Sequence, residues 1–222
     1  MRKLTGAAFI SLDGVIQAPG GPTEDYTGGF TEGGWLFRFS DPGIFETIGG
    51  LFAGEYDLLL GRRTYDIFAA YWPYVEGEAV AMGEAFTRAG KHVLTRGDAP
   101  LDWANSHRLR KVEDVAALKA SPGPDLIIQG SSTLYPPLLA AGLIDRLILM
   151  IFPVTIGHGK RLFGEGTPAA ALQLTDHRVT DKGTIIATYA PGGAIPATGE
   201  FPTPSTSARE ADRQRRMQQG IW

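Results

Sequence analysis

Leu58-Leu59-Leu60-Gly61-Arg62-Arg63-Thr64-Tyr65 is the stretch on which the reading of this chain turns. An apolar, strand-like run stops at a glycine, and two arginines and a threonine follow where a helix begins. A strand end feeding a helix N-terminus favours anions, because free backbone N–H groups and the helix dipole both attract negative charge. Guanidinium groups add forked donors that match phosphate geometry. The same Arg-Arg pair also suits a plain solvated helix start, so the other strand ends must decide between the two.

Outward from this stretch, strand-like and helix-like pieces alternate. Residues 3–11 read as a first strand, and the glycine- and threonine-rich residues 14–34 as a long loop. Asp41 and Pro42 mark a helix start, an N-cap followed by a first-turn proline, with Phe45, Ile48 and Phe52 on one face. Tyr56–Gly61 reads as a strand, Arg62–Tyr71 as a helix, residues 79–89 as a helix ended by Gly90, and residues 91–95 as a strand. A helix over Val112–Ala120 and a strand over Asp125–Gln129 follow. Residues 133–141 read as a helix in which Pro136 and Pro137 suit only the early turns. Residues 146–154 form a long apolar strand, and strands 172–180 and 184–189 flank the turn Asp181-Lys182-Gly183. This order predicts an α/β fold with a mostly parallel central sheet, flanked by helices and closed by an antiparallel C-terminal hairpin. Such sheets bind ligands at the carboxyl ends of their strands. Ser11-Leu12-Asp13-Gly14, Gly61-Arg62, Thr95-Arg96 and Gly130-Ser131 should therefore face one crevice.

With 222 residues, 43% hydrophobic and 20% charged, the chain has an ordinary globular composition. A net charge of −3 weighs against a nucleic-acid partner. Without cysteine there are no disulfides, thiolate ligands or cysteine nucleophiles. No apolar run reaches membrane-span length, and Asp13-Gly14 interrupts the N-terminal apolar stretch too soon for a signal peptide, so no membrane partner and a cytoplasmic location are expected. His92, His107, His158 and His177 are scattered without ligand spacing, so no metal is expected. The domain should span residues 1–190. Residues 191–222 read as a Pro/Gly/Ser-rich linker and a polar tail, with a weak helix over 208–219. Ile221 and Trp222 read either as a frayed end or as a docking anchor.

Several motifs in fixed order carry a family resemblance. They are Ser11-Leu12-Asp13-Gly14, Gly61-Arg62-Arg63-Thr64-Tyr65, Leu94-Thr95-Arg96, Ile128-Gln129-Gly130-Ser131, Gly142-Leu143-Ile144-Asp145-Arg146-Leu147 and the run from Pro153 to Phe163. In this order the chain resembles the dihydrofolate reductase superfamily, above all the reductase domain of the riboflavin-biosynthesis deaminase-reductase and its stand-alone relatives. The resemblance implies a dihydrofolate-reductase-like fold, NADPH as hydride donor and a homodimer. It implies that Gly61, Arg62, Arg63 and Thr64 hold cofactor phosphates, that Thr95 and Arg96 line the 2′-phosphate side, and that Gly130, Ser131, Ser132, Thr133 and Leu134 bind the pyrophosphate. Ala7 and Ala8 would meet the nicotinamide through backbone groups, and Ile16 with the loop bearing Gly157 and Gly159 would close over it. Ser131 stands where dihydrofolate reductases have the second glycine of a cis pair.

On the substrate side the resemblance implies a heterocycle of pterin or pyrimidine type, reduced with the help of a carboxyl group. Asp41, with Phe45 one helical turn later, repeats a relation found in dihydrofolate reductases; Asp41 equally suits a helix cap. Asp13, in the segment that lies beside substrate in riboflavin-type reductases, is the other catalytic candidate, or else a turn residue. Trp35, Phe45 and Phe68 are the aromatic substrate candidates, each also suited to core packing. Two positions depart from the riboflavin-type pattern: Val15 replaces a lysine, and Asp145-Arg146 replaces an Asp-Glu pair. A nucleotide-binding module without efficient catalysis, or an assembly protein using its C-terminal arm, are the other readings.

Overall fold

A computed structural model describes residues 1–197 and 207–221. The strands are β1 (Leu4–Ser11), β2 (Tyr56–Gly61), β3 (Lys91–Leu94), β4 (Ser106–Leu109), β5 (Asp125–Gln129), β6 (Arg146–Phe152), β7 (Ala171–Val179) and β8 (Ile185–Gly193). The α-helices are α1 (Pro42–Leu51), α2 (Arg62–Tyr71), α3 (Val80–Arg88), α4 (Val112–Ala120), α5 (Tyr135–Ala140) and α6 (Ala208–Gln218). All eight strands join one sheet in the order β4-β3-β2-β5-β1-β6-β8-β7. The first six in that order pair parallel, whereas β8 runs antiparallel to both β6 and β7. The α/β expectation, with an antiparallel C-terminal hairpin, is what the structure has.

Alternation along the strands divides the core. Leu59, Leu126, Ile128, Leu147 and Leu149 pack with Val115 of α4 and Leu138 of α5. Their neighbours in sequence face the other way: Ile148 and Met150 meet Trp35, Ile44 and Ile48, while Leu58 and Leu60 meet Tyr65 and Phe86. β6 lies between β1 and β8, so its long apolar run is explained by burial inside the sheet. It therefore gives no separate argument for a dimer.

Three features differ from expectation. β4 has no apolar run, and its strand character comes from pairing with β3, where His107 lies opposite His92. α1 packs through Ile44 and Ile48, and Phe52 after it meets Tyr56 and Phe86, while Phe45 is 58% exposed, so of the expected face Phe45 alone lies outside the core. β8 continues to Gly193, opposite Ala171, past the expected strand end at residue 189. In the tail, α6 forms with Ser207 as its N-cap and internal pairs from Glu210 to Arg213 and from Asp212 to Arg216. Trp222 and residues 198–206 of the linker lie outside the described residues.

The loop after β1 is folded back on itself. A Cβ on Gly33 would lie 2.6 Å from the Gly21 carbonyl oxygen, so only glycine permits this approach. The loop is joined to the segment after β6 by hydrogen bonds from Ile16 N to Lys160 O (2.8 Å) and from Leu162 N to Gly14 O (3.0 Å).

Candidate active site

Ser131 links two strand ends. Its hydroxyl accepts from Gly61 N at 2.8 Å and donates to Thr64 Oγ1 at 2.6 Å. A Cβ on Gly61 would sit 2.9 Å from that hydroxyl, which accounts for the glycine at the end of β2. Gly130 and Ser131 both have positive φ, 90° and 68°, and the peptide between them is trans. No side chain caps α2 and no acid occupies its first turn, so its leading N–H groups remain available to an anion.

Around this link lies a cleft of about 210 Å³. Ile16 to Gly20, Glu24 and Asp25 form one part of its wall, Arg63, Thr64, Ile67, Phe68 and Trp72 another, and Gln129 to Thr133 a third. Phe9 and Lys160 complete it. A larger groove of about 900 Å³ shares Arg63 and Thr133 with the cleft and extends past Thr95, Arg96, Arg110 and Lys111. The two adjoin at Arg63 and Thr133, along the carboxyl ends of β2, β3 and β5. Their combined shape suits an extended dinucleotide, and their donors suit phosphate.

The cations of the cleft and groove are not equivalent. The Arg62 guanidinium bonds Asp66 at 2.9 Å and the carbonyls of Ala99 and Pro100 at 2.7 and 2.9 Å. Arg110 likewise binds the carbonyls of Arg96 and Gly97, each at 3.0 Å, and so supports the loop after β3. Arg96 is exposed, and its guanidinium makes no hydrogen bond or ion pair among the described residues. Arg63 approaches Asp25 at 3.7 Å.

The structure brings Ile16, Gly61, Arg63, Thr64, Gly130, Ser131, Ser132, Thr133 and Phe68 to the cleft, and Arg62, Thr95, Arg96 and Leu134 to the groove. It places other candidates elsewhere. The Ala7 carbonyl accepts from the buried Tyr135 hydroxyl at 3.1 Å, and the Ala7 and Ala8 side chains lie in the core. Gly157 N donates to Asp13 at 2.7 Å, and Gly159 packs against Phe30 and Val15. Trp35 is buried, donates to the Gln17 carbonyl at 2.9 Å and stands edge-on to Phe152, as a core residue does. Phe45 is exposed away from the cleft lining.

Both catalytic candidates are occupied with holding the chain. Asp41 caps α1 through Ile44 N at 3.3 Å and also accepts from Lys182 N at 3.1 Å, tying the helix to the hairpin turn. Burial raises its carboxyl, but bonds from Thr180, Lys182, Ile44 and Gly43 outweigh this and keep it below the usual range. Asp13 accepts from Ser11 Oγ at 2.6 Å, Ile156 N at 3.0 Å and Gly157 N at 2.7 Å. Burial acts upward on it as well, yet these bonds hold it at about 2. Neither aspartate lines the cleft.

The cleft has its own carboxyl pair, which motif reading missed. Glu24 and Asp25 sit in a glycine-rich loop with no motif spacing, and only the fold-back at Gly33 brings them inside. Asp25 pairs with Lys160 and Arg63. Burial raises its carboxyl, but Lys160 and Thr27 pull it below the usual value. Glu24 Oε2 accepts from Gly20 N at 2.7 Å and Gly21 N at 3.1 Å. Burial lifts the Glu24 carboxyl above its ordinary value; the two N–H bonds oppose this, and the adjacent Asp25 charge adds to it. Gln17 completes the loop contacts, donating to Thr27 O at 2.8 Å and accepting from Lys160 N at 3.0 Å.

Comparison with known proteins places the fold and the family. A curated relative, the uncharacterized protein YyaP of Bacillus subtilis (strain 168), is 26% identical over 195 residues, covering 85% of this chain and 94% of its own. Among solved structures, a protein from Shewanella sp. PV-4 provisionally assigned to riboflavin biosynthesis has a TM-score of 0.62 at 22% identity, covering 85% of this chain and 98% of its own. A pyrimidine reductase-like protein from Corynebacterium diphtheriae has a TM-score of 0.59 at 15% identity, over 86% and 92% of the two chains. Dihydrofolate reductase from Enterococcus faecalis, complexed with NADP(H), has a TM-score of 0.55 at 17% identity, over 86% and 96%. These three establish a dihydrofolate-reductase-like fold. The RibD C-terminal domain family matches residues 2–186, and the chain therefore belongs to that reductase-like family.

Proposed function

We propose that the protein is an NADPH-dependent reductase of a planar heterocycle of pterin or pyrimidine type. The observation that carries this reading is that a cation-lined groove and an aromatic-walled cleft share Arg63 and Thr133 at the carboxyl ends of parallel strands. The free first-turn N–H groups of α2 and the residues after β5 fit a pyrophosphate. The unpaired Arg96 fits a 2′-phosphate, which distinguishes NADPH from NADH. When bound, the reduced nicotinamide supplies a hydride. The protein's part is to orient a flat acceptor against Phe68 and Trp72 and to exclude water with the loop that carries Gln17 and Glu24. Family membership supports the same activity.

Trp72 in the cleft wall provides the assay. Its fluorescence should report saturable binding of NADPH, weaker binding of NADH, and oxidation of NADPH when dihydrofolate or pyrimidine-reductase substrates are added. Absence of NADPH binding at millimolar concentration overturns the reading. Tight binding without turnover assigns the chain instead to a nucleotide-binding module. The reading includes a homodimer formed along the outer edge of β7, where Leu172, Leu174 and Val179 are exposed. Light scattering that finds a monomer at micromolar concentration removes that part.

A further inference from the structure

We infer that Glu24 is the proton donor of the cleft, and that the substrate class is a heterocycle with a C=N bond whose nitrogen receives the Glu24 proton. This rests on the reductase reading above. Reducing such a bond requires a hydride at carbon and a proton at nitrogen. The hydride comes from reduced nicotinamide, which is oxidised. The Glu24 O–H bond breaks as the new N–H bond forms, and the resulting carboxylate regains a proton from water.

Elimination and placement both lead to Glu24. The titratable or charged groups lining the cleft are Glu24 and Asp25 from the loop after β1, Arg63 from α2 and Lys160 from the loop after β6. Asp25 is committed as an anion to Lys160 and Arg63. Both cations are in turn engaged by that carboxylate. Glu24 has no cationic partner among the described residues. Its Oε2 is fixed by two backbone N–H groups, and its Oε1 makes no hydrogen bond among the described residues. The side chain is thus held in place with one oxygen uncommitted, in a cleft whose other wall carries Phe68 and Trp72. Two neighbouring carboxyls are driven apart: one stays charged by pairing, and the other is kept protonated more readily by burial beside that charge. Such a division assigns the acid role to the unpaired member.

The test uses the full chain, Glu24→Gln and Glu24→Asp, with three readouts. Carboxyl ¹³C NMR, assigned by difference from Glu24→Gln, should show Glu24 titrating above the ordinary glutamate range. Glu24→Gln should lose on the order of 100-fold or more in kcat, with partial rescue in Glu24→Asp. The NADPH Kd from tryptophan fluorescence should change by less than about threefold, a shift of under 1 kcal/mol. In the wild type, kcat should fall as pH rises through the Glu24 titration, and this limb should vanish in Glu24→Gln. A Glu24 carboxyl that titrates at or below the ordinary range overturns the inference, whatever substrate is used. So does Glu24→Gln turning over like wild type, while NADPH binding leaves the reductase reading intact. Failure of the wild type to bind NADPH overturns that reading and this inference with it.

Discussion

At the amino ends of the strands, buried charges are matched against partners; at the carboxyl ends, the Arg96 guanidinium and the first turn of α2 are left facing open space. Arg2, 4% exposed, pairs with Asp57 at the start of β2 and bonds the Pro124 carbonyl, while His92 reaches the same aspartate at 3.2 Å. Lys91, fully buried, donates to the carbonyls of Phe86, Thr87 and Ala89 at 3.0, 2.7 and 2.8 Å, closing the C-terminus of α3. Its ammonium also lies 4.4 Å from the Trp103 ring centre. Lys119 joins Asp145 and the Leu143 carbonyl, each at 2.7 Å, just before β6. At the other end, α2 is uncapped and Arg96 is unpaired among the described residues. The difference separates two uses of charge. Satisfied buried networks hold the strand starts together, whereas unsatisfied donors at the strand ends are available to a ligand.

The comparison breaks first if the amino-end network is dispensable. Asp57→Ala leaves Arg2 buried without its anion and should cost about 3–5 kcal/mol in urea unfolding. NADPH affinity at temperatures where the variant stays folded should not change. A loss under 1 kcal/mol, on the order of a surface pair, would show the network to be idle.

Lys91 gives the next largest effect, and its sign is set by pH. Burial draws the ammonium down to about 8 from 10.5, with the Asp57 charge opposing. Between these values the unfolded chain keeps a proton that the folded protein sheds, so stability should rise with pH, by up to about 1.4 kcal/mol per unit. Denaturation midpoints measured from pH 8 to 10 should show this slope in wild type and lack it in Lys91→Met.

At the carboxyl ends the expected effects are on binding. Arg96→Ala should weaken NADPH about tenfold, some 1.4 kcal/mol, while leaving NADH affinity and stability unchanged. Arg62→Ala should weaken NADPH less, because its guanidinium is engaged by Asp66 and by the 99–100 carbonyls. The reverse order would return the phosphate role to Arg62. The smallest effect separates a cap from a catalyst: Asp41→Ala should cost about 1 kcal/mol of stability with NADPH affinity unchanged.

The strand-end residues were legible because their signals are local. A glycine after an apolar run, followed by Arg-Arg-Thr or Ser-Ser-Thr, marks a strand turning into a helix whatever lies around it. β4 was not legible, because Ser106-His107-Arg108-Leu109 has no apolar alternation and becomes a strand only beside β3. Asp41 and Asp13 stood out because they sit in recognisable local patterns, and those patterns are turns and caps that use the carboxylates themselves.

By itself the sequence determined the order of strands and helices apart from β4, the antiparallel hairpin at the end and the row of small and cationic residues at the strand ends. Periodicity, glycine positions and capping residues act over a few neighbours, so they can be read without knowing the fold. Only the tertiary structure decided which carboxyl belongs to the cleft. Glu24 enters it through a loop that folds back at Gly33 and is joined to the loop carrying Lys160. The Asp25 charge beside it is adjacent in sequence, but Lys160, which fixes that charge, lies 135 residues from Asp25, and no local pattern encodes that distance.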